Sequence, residues 1–439
     1  MSRGRRRVHD RRILALGIPA LGALAADPLV SLVDTAFVGR LGTTPLAALG
    51  IDAAIFGLAF FAFNFLAYGV TPLVARALGE GDTGRAARVV ANGLVAAVAL
   101  GTVVTIVLQV GARPILDLMG ASDAVAGEAA GYLRIRSLAA PAVLIITLGH
   151  GAFRGHQDTR TPFFITLGFN LVNLILDPLL IFGAGWGLNG AAVATLVAQW
   201  VGASWFLVLI RRRLGLQFSG LEPSELFGLL RVGRDVVIRT AALLVTFTVA
   251  TRVAAEIGDA EVAAHQVAMQ LLIFLALSID ALAIAAQSLI ARFVGEQRHN
   301  DAWDVSVRLL QLGAVVGAGF LILLALTRSV VPGWFTSEPE VREAIESVWL
   351  ILAVMQPLAA LVYVWDGIVM GAARFGYLAW AMVVSGGVAI AALVLVVPFG
   401  WGLPGVWWGI GLLNVVRATT LGWWHFRPAG FLRPQLEGS

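Results

Sequence analysis

Apolar runs follow one another along the whole chain, each about one bilayer long and each closed by a short polar or glycine-bearing turn. They fall near 13–38, 46–72, 89–111, 135–155, 162–182 and 188–210, then near 236–256, 261–290, 306–328, 345–371, 377–398 and 404–424. A helix needs ~20 predominantly apolar residues to cross the hydrocarbon core. The pattern therefore predicts an all-α integral membrane protein with twelve transmembrane helices. The first run, Ile13 to Gly39, breaks its own pattern with Asp27 and Asp34 and with Pro19 and Pro28. A carboxylate at membrane depth is costly unless partnered or protonated, and so marks function. Proline removes a backbone hydrogen bond and lets a helix bend, which makes Pro19 and Pro28 candidate hinges.

The second six runs copy the first six. Gly42 pairs with Gly258, Ala75-Arg76 with Ala291-Arg292, and Gly79-Glu80 with Gly295-Glu296. Pro141, Gly151 and Gly155 pair with Pro357, Gly367 and Gly371, all at an offset of 216. Gly185-Trp186-Gly187-Leu188 then recurs as Gly400-Trp401-Gly402-Leu403, at an offset of 215. Six spans is an even number, so both halves insert the same way up, as parallel repeats around a central cavity. The expected division is an N-lobe at 1–210, a cytoplasmic linker at 211–235, and a C-lobe with a short tail at 236–439.

Composition narrows the chemistry. Only 13% of the residues are charged, there is no cysteine, and all 31 basic residues are arginine. Disulfides and thiolate metal sites are excluded, as are a P-loop and a Schiff-base lysine. With the N-terminus inside, 22 arginines lie at cytoplasmic ends and seven (Arg40, Arg113, Arg134, Arg136, Arg252, Arg328 and Arg342) at outer ends. That bias predicts both termini in the cytoplasm. The arginine-rich start imitates a signal peptide, but its apolar run continues to Val38, past the usual length. The net charge of +4 is spread over helix ends and does not suggest nucleic acid.

Depth brings the polar groups together. Asp34 in the first span and Asp177 in the fifth lie near the outer ends of their helices. Asn173 is one turn deeper than Asp177 on the same face, and Thr195 lies about two turns, ~10 Å, down the sixth span. Oxygen ligands of this kind suit a hard cation such as Na⁺. They equally suit a proton, because neighbouring carboxylates in a low dielectric cannot both ionise cheaply. The bland alternative is interhelical hydrogen bonding.

The stretches PALGALAADPLVSLVDTAFVGRLGTTPLAALG, ARALGEGDTGRAAR, GAFRGHQDTRTP and NLVNLILDPLLIFGAGWGLNGAAVATLVAQ resemble the multidrug and toxic compound extrusion (MATE) family. LSIDALAIAAQSLIARFVGE and VGRDVVIRT are similar to its DinF-like branch. The resemblance covers essentially the whole chain. It implies two six-helix lobes around a central cavity, and export of organic cations or other amphiphiles in exchange for H⁺ or Na⁺. It also implies a coupling site at Asp34, Asn173, Asp177 and Thr195, with Pro19 at the bend of the first helix. In the fourth span, Thr147 and His150 stand where polar amides are expected, which favours H⁺ over Na⁺.

Asp27, Thr147, His150, His265 and Gln287 are further relay or cavity candidates. The offset sets Ala250 against Asp34, Ala389 against Asn173 and Leu393 against Asp177, so the C-lobe carries no copy of the oxygen site. It carries instead Arg239, Asp280 and Asp366 at similar depth, expected to form an ion-pair network, because an unpaired arginine there is costly.

The expectation is a secondary antiporter, monomeric and without cofactor, in a bacterial plasma membrane. It exports an amphiphilic or cationic small molecule against H⁺ in preference to Na⁺. A lipid-linked precursor flippase would need cationic side chains in its cavity, but only Arg239 and Arg417 fall within spans. A membrane-embedded enzyme would need a clustered metal-spaced motif, and none is present. A passive channel gives no reason for the unequal halves.

Overall fold

The computed structural model describes residues 3–215 and 223–427. Its elements are almost entirely helical. They run α1 (Arg3–Gly39), α2 (Thr43–Phe61), α3 (Phe65–Gly79), α4 (Thr83–Leu118), α5 (Asp123–Ser137), α6 (Ala140–Gly155), α7 (Arg160–Pro178) and α8 (Gly187–Arg213). Then come α9 (Pro223–Ile257), α10 (Asp259–Gly295), α11 (His299–Thr327), the single turn α12 (Pro332–Phe335), α13 (Pro339–Gly371), α14 (Phe375–Val394) and α15 (Gly402–Phe426). A π-helical turn, Leu179–Gly183, extends α7. Joining α2 to α3, which form one run of the sequence, and α5 to α6, where the run expected at 135–155 covers α6 and only the end of α5, and setting aside the single turn α12, gives twelve helical passages. Among the described residues, ten are long and apolar enough to cross a membrane, and eleven if α5 and α6, bent by 50°, make one span. The twelfth expected span, α15, falls short because its glycines, four tryptophans, Asn414 and Arg417 dilute its apolar content. Outward-facing apolar side chains such as Val103, Ile106, Val107 and Val110 on α4 offer a surface suited to lipid.

Two compact units divide the chain: Ile18–Gly233 in the first, and residues up to Gly17 with everything from Arg234 onward in the second. These boundaries correct the sequence reading. The first turns of α1 belong with the second unit: Asp10 pairs with Arg308 at 2.5 Å, His9 meets Phe293 edge-on, and Gly17 lies against the Ala281 carbonyl. Conversely, Gly69 lies under Val232 and Leu229, and Gly233 under Phe65, which ties the start of α9 to the first unit. The linker expected at 211–235 also overshoots, because α9 begins at Pro223. Its charges sit on an amphipathic helix whose inner face is Leu229, Val232, Gly233 and Val236, a helical i, i+3, i+4, i+7 period. The rest of that stretch, 216–222, lies outside the described residues.

Inside each unit the packing repeats residue for residue. A Cβ on Gly151 would lie 2.9 Å from the Ala67 Cα, and one on Gly367 would lie 2.6 Å from the Ala283 Cα, the same pair shifted by 216. Gly101 meets the Pro141 Cα and Gly317 the Pro357 Cα in the same way. The backbone agrees. Gly81 and Gln297 both take positive φ (80° and 57°), as do Gln157 and Ala373 (58° and 56°). The turns Gly185-Trp186-Gly187 and Gly400-Trp401-Gly402 place all four glycines in the left-handed region that glycine enters without strain.

Candidate functional site

A cavity of about 470 Å³ lies wholly within the first unit. Asp27 and Asp34 of α1, Phe56 of α2, Arg136 of α5, and Thr147 and His150 of α6 line it, with Asn170 and Asn173 of α7 and Thr195 and Gln199 of α8. The helical period sets these groups on one face: Asp27 to Asp34 is seven residues, Asn170 to Asn173 three, and Asn173 to Asp177 four.

The four residues expected to form the coupling site converge. The carboxyl groups of Asp34 and Asp177 lie within hydrogen-bonding reach of each other. The Asn173 Nδ2 donates to the Asp177 Oδ1 at 3.3 Å and to the Thr195 Oγ1 at 3.4 Å. Thr195 donates in turn to the Ala191 carbonyl at 2.9 Å. Asp177 is fully buried, and Asn173 nearly so. Asp177 precedes Pro178, where α7 gives way to the π-turn. Proline has no N–H, so the carbonyl four residues back loses its helical donor. Two adjacent carboxyls in a low dielectric hold one proton between them more cheaply than two negative charges.

Asp27 also has a partner, which the sequence did not name: the Asn170 Nδ2 donates to its Oδ1 at 2.7 Å. Asn170 was visible as a second amide-bearing position on the Asn173 face. Thr147 hydrogen-bonds back to the Val143 carbonyl at 2.9 Å. His150 contacts the Thr166 hydroxyl at 3.1 Å and Arg154 at 3.4 Å. Tyr132 is buried beside Arg136. Arg136 donates to the Gln199 Oε1 at 2.8 Å and lies over the Phe56 ring, 5.1 Å from its centroid. Arg136, counted above at an outer helix end, is thus also part of the cavity wall. Both Pro19 and Pro28 lie inside α1.

The second unit holds the other candidates. Asp366 accepts from Arg239 and, at 2.6 Å, from Arg417. Arg417, 2% exposed, was missed as a member of this network, although the sequence reading had already set it within an apolar run. Asp280 lies in the same electrostatic neighbourhood, around Tyr363. His265 is buried against Trp407 and bonds the Thr251 hydroxyl at 3.2 Å, and Gln287 donates to the Met370 Sδ at 3.3 Å. At the end of α10, Glu296 is opposed by partial burial, but hydrogen bonds from Arg292 and Arg298 hold its carboxyl below the ordinary value. Arg298 is itself partly desolvated, and Asp301 and Glu296 raise it.

A helical membrane protein built from two copies of one unit, with a polar cavity between the helices of one copy, is the architecture of a transporter. The MatE family model matches residues 19–179 and 236–401, and the chain belongs to the multidrug and toxic compound extrusion family. Protein DETOXIFICATION 44, chloroplastic, of Arabidopsis thaliana is 34% identical over 94% of this chain and 81% of its own. DNA damage-inducible protein F of Escherichia coli is 28% identical over 88% and 86%. The Vibrio cholerae MATE transporter VcmN in the bent form superposes with a TM-score of 0.89 at 20% identity, covering 97% of this chain and 100% of its own. The protein is therefore a multi-pass membrane transporter of the multidrug efflux class.

Proposed function

We propose that this transporter exports amphiphilic or cationic small molecules in exchange for protons, with the Asp34–Asp177 pair as the coupling site. The observation that carries the reading is the contact between the two carboxyls at the cavity wall, with Asn173 presenting its N–H₂ group to the pair. A donor turned toward the carboxyls supports a shared proton more than a sodium ion, which needs oxygens around it. Asp34 and Asp177 release their proton when the cavity takes up a substrate cation. Reprotonation from the outer side restores the carboxyl pair and expels the substrate. Pro19 and Pro28 are the places where α1 yields as this happens. The chain works as a monomer in the plasma membrane of a bacterium, with both termini in the cytoplasm, in keeping with the 22-to-7 distribution of its arginines.

The test is efflux of a fluorescent lipophilic cation such as ethidium from proteoliposomes, with a pH or a Na⁺ gradient imposed separately. A pH gradient alone drives wild-type efflux, and Asp34→Asn, still monodisperse, loses it by about 100-fold or more, the scale of losing one essential proton-transfer group. Efflux driven by Na⁺ but not by pH would overturn proton coupling, and undiminished pH-driven efflux in Asp34→Asn would overturn the site.

A further inference from the structure

Asp52 is absent from the coupling site described above, yet it is the acid the fold isolates most completely. It lies in α2, is fully buried, and neither carboxyl oxygen has a hydrogen-bond partner among the described residues. Its neighbours on the same stripe, Leu49, Ala53 and Phe56, line the cavity. One turn along, the Phe56 ring carries the guanidinium of Arg136, the charged side chain that acts on Asp52. Arg136 is now held by the neutral Gln199 at 2.8 Å. An ionised carboxylate without a donor is costly at such depth, so the neutral acid is the form that fits this arrangement.

The second half of the chain supplies an independent observation. At an offset of 216, Asp52 corresponds to Ala268 and Arg136 to Leu352, both buried in an apolar core. The same helix packing forms there without either charge. Neither group is therefore required to build the fold.

We propose that Asp52 is a second proton-binding site of the exchange cycle, with Arg136 as its movable counter-ion. In one state Asp52 holds a proton and Arg136 rests on Gln199. In the other, the proton has left to water and Arg136 swings about one helical turn to pair with the carboxylate. The cavity wall then carries one positive charge in the first state and none in the second, so the step is also sensed by a cationic substrate. The facing groups are consistent with this. α5 brings Arg136 and Tyr132, and Tyr132 lies in the field of both Asp52 and Asp34. α1 and α7 bring the paired Asp34 and Asp177. α8 brings Gln199, and α4 meets this core through the apolar Leu108, Ala112 and Leu116. The inference deepens the proton-exchange reading and rests on it for its place in the cycle.

Two measurements on the full chain separate the two ideas. The first is potentiometric titration of the purified protein between pH 5 and pH 9, which needs no substrate. Relative to wild type, Asp52→Asn binds about one proton fewer across this window, and Asp52→Glu restores it. Arg136→Gln loses the same proton, because the acid then stays protonated throughout. Size-exclusion profiles and thermal melts identify any variant that fails to fold, and Arg136→Gln carries the test if Asp52→Asn does. The second is ethidium accumulation in proteoliposomes with the membrane potential clamped at zero. At an imposed difference of about one pH unit, the limiting gradient falls from about 100-fold in wild type to about tenfold in Asp52→Asn, the change from two protons per cycle to one. Titration curves of wild type and Asp52→Asn that superimpose would overturn the proposal. If only Na⁺ drives ethidium in wild type, the proton-exchange reading fails, and the titration still decides whether Asp52 binds a proton.

Discussion

The two halves of this protein share their backbone down to individual glycine contacts and differ at almost every polar position that matters. Where the first half places Asp34, Asn173 and Asp177 around a cavity, the second places Ala250, Ala389 and Leu393, each fully buried in apolar packing. Where the first half has His150, the second has Asp366, clamped by Arg239 and Arg417. The comparison separates what builds the bundle from what works in it. Close-approach glycines, left-handed turns and small residues recur because both bundles need them. The carboxyls and amides of the cavity do not recur, because a buried polar group is stable only with its partners, and those of the cavity sit in the first half.

The largest effect expected from breaking this asymmetry comes from Ala250→Asp, which copies the acid of Asp34 into the second half without its partners. The carboxyl would enter an apolar core, at a cost of about 3 kcal/mol or more. A thermal melt in detergent should show a fall of several degrees or a loss of folded protein, whereas an unchanged melt would mean that the second half tolerates a lone acid. Gly151→Ala and Gly367→Ala probe what the halves share. Each new Cβ meets the backbone of the neighbouring helix, at Ala67 or Ala283, where no side chain can move aside. Losses of about 1–3 kcal/mol are expected for both. A loss at one position alone would show that the repeated contact is not equivalent in the two halves.

The smallest effect concerns Glu296. Because its folded carboxyl sits below the ordinary value, the stability it contributes is present above that value and lost as pH falls through the depressed one. The stability difference between wild type and Glu296→Gln should therefore shrink below about pH 4, and a difference that grows with acidification would reverse the assignment.

Much of the fold was readable, because bilayer dimensions act on composition directly: an apolar run of the right length has few alternatives to a spanning helix. The repeat was equally readable, since it rests on glycines and prolines whose backbone roles cannot be substituted. The linker was misjudged because a window of charges hides the helical period of Leu229, Val232 and Val236. The convergence of Asp34, Asn173, Asp177 and Thr195 followed from depth along each helix. Arg136, Asn170 and Asp52 did not follow, because depth says nothing about the direction a side chain points around its helix. A lone acid in an apolar run becomes informative only when the groups across from it are known.

The π-turn at Leu179–Gly183 has a consequence for the history of the chain. In the first half, the Trp186 amide reaches back six residues to the Leu180 carbonyl, while in the second its counterpart Trp401 reaches back five, to Val396. The repeat offset drops from 216 to 215 across this same interval. One half therefore gained or lost a single residue after the duplication, directly beside Asp177. π-turns commonly arise from such single-residue insertions and gather at functional sites. The divergence of the two halves is thus recorded in chain length as well as in side chains. Shortening Leu179–Gly183 by one residue would return the first half to the register of its silent twin.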